Sequence, residues 1–198
     1  MQVSKNKKDP TKKTLETKIA FLIVFFSVTS AFLAGGIIAS LGTLYAQSYQ
    51  KLITFASFIV GQGLMVVPLV FYLKFKKLSI IDSIRFRTLK YKTIWSVVLF
   101  SLGLIVMSDE LDRIIQIYIP APEYIVDLNH LLKPESLFGG FLLFFAVVIL
   151  APLGEEIIFR GFLQQILEKQ WQDTTRAVLF TALLFSLIHM NPYWFFQI

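Results

Sequence analysis

Apolar runs of membrane-crossing length recur along this chain and constrain its fold more than any other feature. Residues 19–41 and 52–73 each approach the ~20 apolar residues a helix needs to cross hydrocarbon. A shorter run covers 93–108, a fourth begins near Ser136 and continues past Gly154 to about Leu167, and a fifth covers 175–190. With 56% of its 198 residues hydrophobic, 20 of them Phe, a soluble domain of this size could not keep a polar exterior. The chain therefore reads as all-α, a polytopic transmembrane helical bundle of about five spans. Asn191-Pro192 ends or kinks the fifth, and the aromatic stretch from Tyr193 to Ile198 reads as the opening of a sixth. Residues 19–198 form one transmembrane domain, with no room for a separate soluble one.

The charges then set topology. Residues 1–18, with Lys5, Lys7, Lys8, Lys12, Lys13 and Lys18, read as a disordered basic tail, and 74–92 as a second basic stretch. Residues 109–135 are mixed, carrying Asp109, Glu110, Asp112, Glu123, Asp127 and Glu135. A cytoplasmic N-terminus puts both basic stretches and the 168–176 connection inside, and the acidic segment outside. This is a multi-pass protein of the cell membrane in contact with lipid. The net charge of +6 is explained by these flanks, so nucleic acid is not an expected partner. The first run is too long for a signal-peptide core and lacks a small-x-small cleavage site. Asp109, Glu110, Asp112 and Arg113 read as a solvated loop or interfacial turn, and Trp171, Tyr193 and Trp194 as interfacial anchors. There is no cysteine, hence no disulfide and no thiolate metal site. Acid–base or metal chemistry must use carboxylates and the two histidines, His130 and His189.

Residues 151–163 (APLGEEIIFRGFL) place three charges inside an apolar helix. Each costs about 2.5–3.5 kcal/mol at the bilayer centre on insertion scales, so such residues are candidates for function. Glu156 and Arg160 are four apart, share a helix face and can pair. Glu155 points about 100° away, which leaves it less tied to the arginine and a reasonable general base. Gly154 and Gly161 lie roughly on one face and would let another helix approach. Pro152 removes a backbone hydrogen bond just before the glutamates and should bend the helix. The plain alternative is an internal ion pair that only joins helices. In the next run, Phe185 stands one turn before His189 on the same face. A lone histidine there is more often structural than catalytic. A carboxylate that activates water and an imidazole that stabilises or protonates are together the minimum for peptide hydrolysis.

Glu155-Glu156-x-x-x-Arg160 followed by Phe185-x-x-x-His189 resembles the first two motifs of the CPBP family, the type II CAAX prenyl endopeptidases and bacteriocin-processing (Abi) intramembrane proteases. Pro152-x-Gly154 and Arg160-Gly161 fit the same pattern, and the resemblance covers about residues 136–198. It implies a helical membrane core whose catalytic residues face an intramembrane cavity. By position, Glu155 matches the glutamate that activates water. Arg160 matches the arginine that orients the glutamate pair, Glu155 and Glu156. His189 matches the first catalytic histidine. The partner implied is a peptide or protein substrate. The family's two later motifs, which supply a second histidine and usually an asparagine or small residue, would fall beyond Ile198. The 198 residues thus read as a fragment or a variant with half the site, and little activity is expected of them alone. His130, in the expected external loop, is no substitute. Metal use stays open. A divalent metal such as zinc, with His189 as a ligand, is one reading, but one imidazole and a carboxylate fall short of a three-ligand zinc site.

Two rival readings stand beside the metalloprotease. One is a non-enzymatic scaffold, immunity or regulatory protein on the same helices. The other is an ion-coupled transporter using the Glu–Arg cluster, against which no matched pair of broken helices is evident. Depth raises a tension. With the inner membrane edge at Gln164, Glu155 lies ~13 Å deep, whereas His189 is ~20 Å from Arg176. A tilt is then needed to bring them level. Sequencing beyond codon 198 separates the first rival from the protease. A further span with His-x-x-x-Asn supports hydrolysis, and a stop codon supports the scaffold.

Overall fold

The computed structural model describes residues 10–120 and 122–189. Among the described residues every regular element is helical. In chain order these are α1 (Pro10–Tyr45), a 3-10 turn (Gln47–Tyr49), α2 (Gln50–Met65), α3 (Val67–Phe75), α4 (Ile80–Ser83), α5 (Tyr91–Tyr118) and α6 (Glu123–Leu131). The rest is α7 (Leu137–Phe144), α8 (Ala151–Glu155), α9 (Gln164–Trp171) and α10 (Thr174–Ile188). π-helical segments at Phe145–Leu150 and Glu156–Leu163 join α7, α8 and α9. Four helices are long and apolar enough to cross a membrane: Thr17–Tyr45, Gln50–Phe75, Tyr91–Tyr118 and Leu137–Trp171. α10, at 15 residues, is shorter. The expected Asn191-Pro192 break and the sixth span lie outside the described residues.

Three expectations need correction. Residues 10–18 are not an unstructured tail but the first turns of α1, with Pro10 at the helix start, where its missing N–H costs least. The second span is present, but it is interrupted partway along. It breaks at Val66, and Pro68 sits in the first turn of α3. The third span does not stop at 108: α5 runs through the acidic cluster to Tyr118. Arg113 explains that continuation, because it pairs with Asp109 one turn back at 3.1 Å and with Glu110 at 3.2 Å.

The chain divides into two compact units, residues 1–85 with 134–182, and residues 86–133 with 183–198. In the first, α2 packs against both α1 and the Leu137–Trp171 span. Small residues allow the first of these contacts. A Cβ on Gly61 would stand 2.9 Å from the Ala31 carbonyl oxygen, and one on Gly35 3.3 Å from that of Ser57. Ser27, Ala31 and Gly35 recur every four residues on α1, a small-residue ridge of the kind that brings membrane helices together. Ser27 and Ser57 are buried in this unit. The other face of α1 carries Phe25, Phe26 and Phe32, all exposed, as a lipid-facing surface would. At the other end of α2, Lys51 pairs with Glu135 at 2.6 Å, and Ser136 caps α7 by accepting the Gly139 N–H. In the second unit, α5 has no buried residue.

The seam makes a specific prediction. Gly61→Ala should lower thermal stability in detergent by about 1–3 kcal/mol, as overpacking does. Gly63→Ala, with nothing within 4 Å of its would-be Cβ, should leave stability unchanged or raise it by about 0.5–1 kcal/mol. Equal melting points for the two variants would contradict this packing.

Candidate active site

The Leu137–Trp171 span carries the charged motif, and its backbone is unusual there. It leaves the α-helical ladder at Phe145–Leu150, just before Pro152, and again at Glu156–Leu163. Pro152 therefore opens the short helix α8 instead of interrupting a long one. π segments of this kind occur mostly as local bulges, frequently at functional sites. Glu155 closes α8 and Glu156 opens the second π segment. Arg160 Nη1 donates to Glu156 Oε1 at 2.8 Å, so the pairing expected from spacing is present. Both side chains of that pair are about half exposed, while Glu155 is half-buried.

The two motif glycines differ in what they admit. Gly154 meets α2: its would-be Cβ lies 2.9 Å from Met65 Cε and 3.6 Å from the Gln62 carbonyl oxygen. That is the close helix approach expected. Gln62 itself buries its side-chain oxygen with no hydrogen-bond partner. Gly161 meets no helix but the loop after α4. Its would-be Cβ lies 2.7 Å from the Ile84 carbonyl oxygen and 3.1 Å from the Ile84 Cα.

That loop was expected only as a topology signal. It is instead fastened to the span over two turns. Gln165 Nε2 donates to the Asp82 carbonyl at 3.3 Å. Arg85 forms a two-pronged pair with Glu168, and Gln164 Nε2 donates to the same carboxylate at 2.8 Å. The Glu168 side chain is only 11% exposed. Lys77 and Arg85 both sit in the left-handed region, at φ 54° and 55°. Lys77 closes α3 in a Schellman motif, with Leu78 N–H on the Leu73 carbonyl and Lys77 N–H on that of Lys74. The turn between α9 and α10 is also held. Arg176 lies 4.9 Å over the Trp171 ring, and Trp171 meets Phe180 edge-on at 5.4 Å. The residues missed from sequence here are Asp82, Arg85, Gln165 and Glu168. Their contacts span 83 positions, so no local pattern announces them.

Glu155, Glu156 and Arg160 fall in the first unit and His189 in the second. His189 Nδ1 lies 2.8 Å from the Phe185 carbonyl oxygen one turn back, and the two rings meet edge-on at 4.6 Å. A carbonyl only accepts, so Nδ1 carries the hydrogen. In the neutral ring Nε2 is then the nitrogen without a hydrogen. His130 is exposed in α6, outside the four membrane-length helices. Among the described residues no three His, Cys, Asp or Glu side chains group closely enough to hold a metal.

Four membrane-length helices define a multi-pass membrane protein. Over residues 137–198 the chain matches the family model described as type II CAAX prenyl endopeptidase Rce1-like, which bears out the resemblance carried by its two motifs at the level of a CAAX-type intramembrane protease family. No curated protein and no solved structure matches the chain.

The imidazole geometry is testable by ¹⁵N NMR of ring-labelled histidine in membranes. Neutral His189 should show a protonated Nδ1 and a bare Nε2. The opposite tautomer would break the Phe185 carbonyl bond assigned to it.

Proposed function

We propose that this chain is an intramembrane endopeptidase whose water-activating base is Glu155 and whose first histidine is His189. The observation that supports this most is the match to the Rce1-like family model over residues 137–198, a stretch that takes in both Glu155 and His189. The Glu156–Arg160 pair at 2.8 Å fits the first motif of that resemblance. Along the chain, Glu155 stands 16 residues before Trp171 and His189 15 residues after Thr174, so the two are about equally far in sequence from the 172–173 turn.

In the proposed reaction Glu155 takes a proton from water as the water oxygen bonds to the peptide carbonyl carbon. The carbonyl π electrons move to oxygen, and His189 donates from Nε2 to that oxyanion. With Nδ1–H committed to Phe185, the donating form is the imidazolium. Collapse re-forms the carbonyl, breaks the C–N bond and passes the proton from Glu155 to the leaving amine. The substrate is a membrane-associated peptide or protein, and the N-terminus of the enzyme faces the cytoplasm.

Glu155→Ala and His189→Ala in the full-length protein in membranes should each lower cleavage of an identified substrate at least ~100-fold, the usual worth of acid–base or oxyanion groups. Unchanged cleavage in either variant would remove the role assigned to that residue.

A further inference from the structure

The loop after α3 touches the motif span at Gly161, Gln165 and Glu168. The first of these follows Arg160 directly, and the other two continue along the same helix toward its end. Three features mark the contact as built. The carboxylate at its far end is nearly buried and takes hydrogen bonds from both Arg85 and Gln164. Arg85 is held in a backbone region that non-glycine residues enter only when their surroundings enforce it. Gly161 is the one residue type that admits the Ile84 backbone at this distance, since any Cβ would overlap the carbonyl oxygen. The helix that the loop meets is π-wound over Glu156–Leu163, a form that occurs mostly as local bulges and frequently at functional sites.

We propose that residues 79–85 act as a strap that sets the pose of the Glu155–Arg160 helix, with Arg85 and Glu168 as positioning residues for the candidate active site. The proposal rests on the protease reading for its consequence, but not for its geometry. Arg85 and Glu168 are not among the proposed reacting groups. They act through Gly161 and the π segment, by holding the helix turn that carries Arg160 and Glu156.

The chain lacks cysteine, so the test can use Asp82→Cys with Gln165→Cys in the full-length protein in liposomes, joined by a short bifunctional maleimide. Wild-type background should join readily. Arg85→Gln or Glu168→Gln should slow joining about tenfold, as loss of a two-pronged charged pair allows. The exchange Arg85→Glu with Glu168→Arg should restore it, which a merely packed loop would not do. Cleavage should follow: Arg85→Gln lowers kcat about tenfold with KM unchanged, and prior joining of 82 to 165 returns it. Joining that is indifferent to Arg85 and Glu168 overturns the strap, whatever the activity. Wild-type kcat in Arg85→Gln overturns the positioning role. If Glu155→Ala still cleaves, the protease reading falls, and the joining rates alone decide the strap.

Discussion

Two adjacent carboxylates can stay inside an apolar helix only where the protein supplies a counter-charge and close neighbours. Everything around residues 154–168 answers that constraint. Arg160 meets Glu156 one turn along the same helix. The α2 helix closes on the residue just before the pair, at Gly154, and the Ile84 backbone closes on the residue just after Arg160, at Gly161. Removing one partner from such a cluster leaves a charge without compensation, which is far more costly than never having had the pair. The glutamates, the arginine and the two glycines therefore form one unit.

The rest of the first unit serves to hold that span in place. α1 contributes close packing. Its ridge of Ser27, Ala31 and Gly35 brings it against α2 closely enough for backbone to meet backbone. In lipid, apolar surface alone does not drive helices together, so van der Waals fit and interhelical hydrogen bonds must. α2 then transmits this position to the motif through Gln62 and Met65. The Trp171 end of the span is held differently, by charge: Arg85 on the nearly buried Glu168, and Arg176 over Trp171.

Much of this was legible from sequence where the signal was local. Hydropathy gave the spans, because a bilayer demands a fixed length of apolar helix. The four-residue spacing gave the Glu156–Arg160 pair and the Phe185–His189 face. What escaped was of two kinds. Charges were read as loop when their own pairing kept them helical, as with Arg113 between Asp109 and Glu110. Contacts between distant segments were invisible, as with Arg85 and Glu168. The basic stretch around Arg85 served equally well as a topology signal, so nothing in its composition distinguished an arginine with a buried partner from one facing water.

The central proposal is that Glu155 and His189 act on the same peptide bond. The most direct measurement places cysteines at 155 and 189 in this cysteine-free chain and oxidises it in native membranes. A disulfide needs Cα atoms within about 7 Å, and a short bifunctional maleimide extends that reach by a few bonds. The account predicts joining by one of the two, from the aqueous phase and competed by substrate. Cysteines that label but never join, or that react only with lipid-soluble reagents, would contradict it.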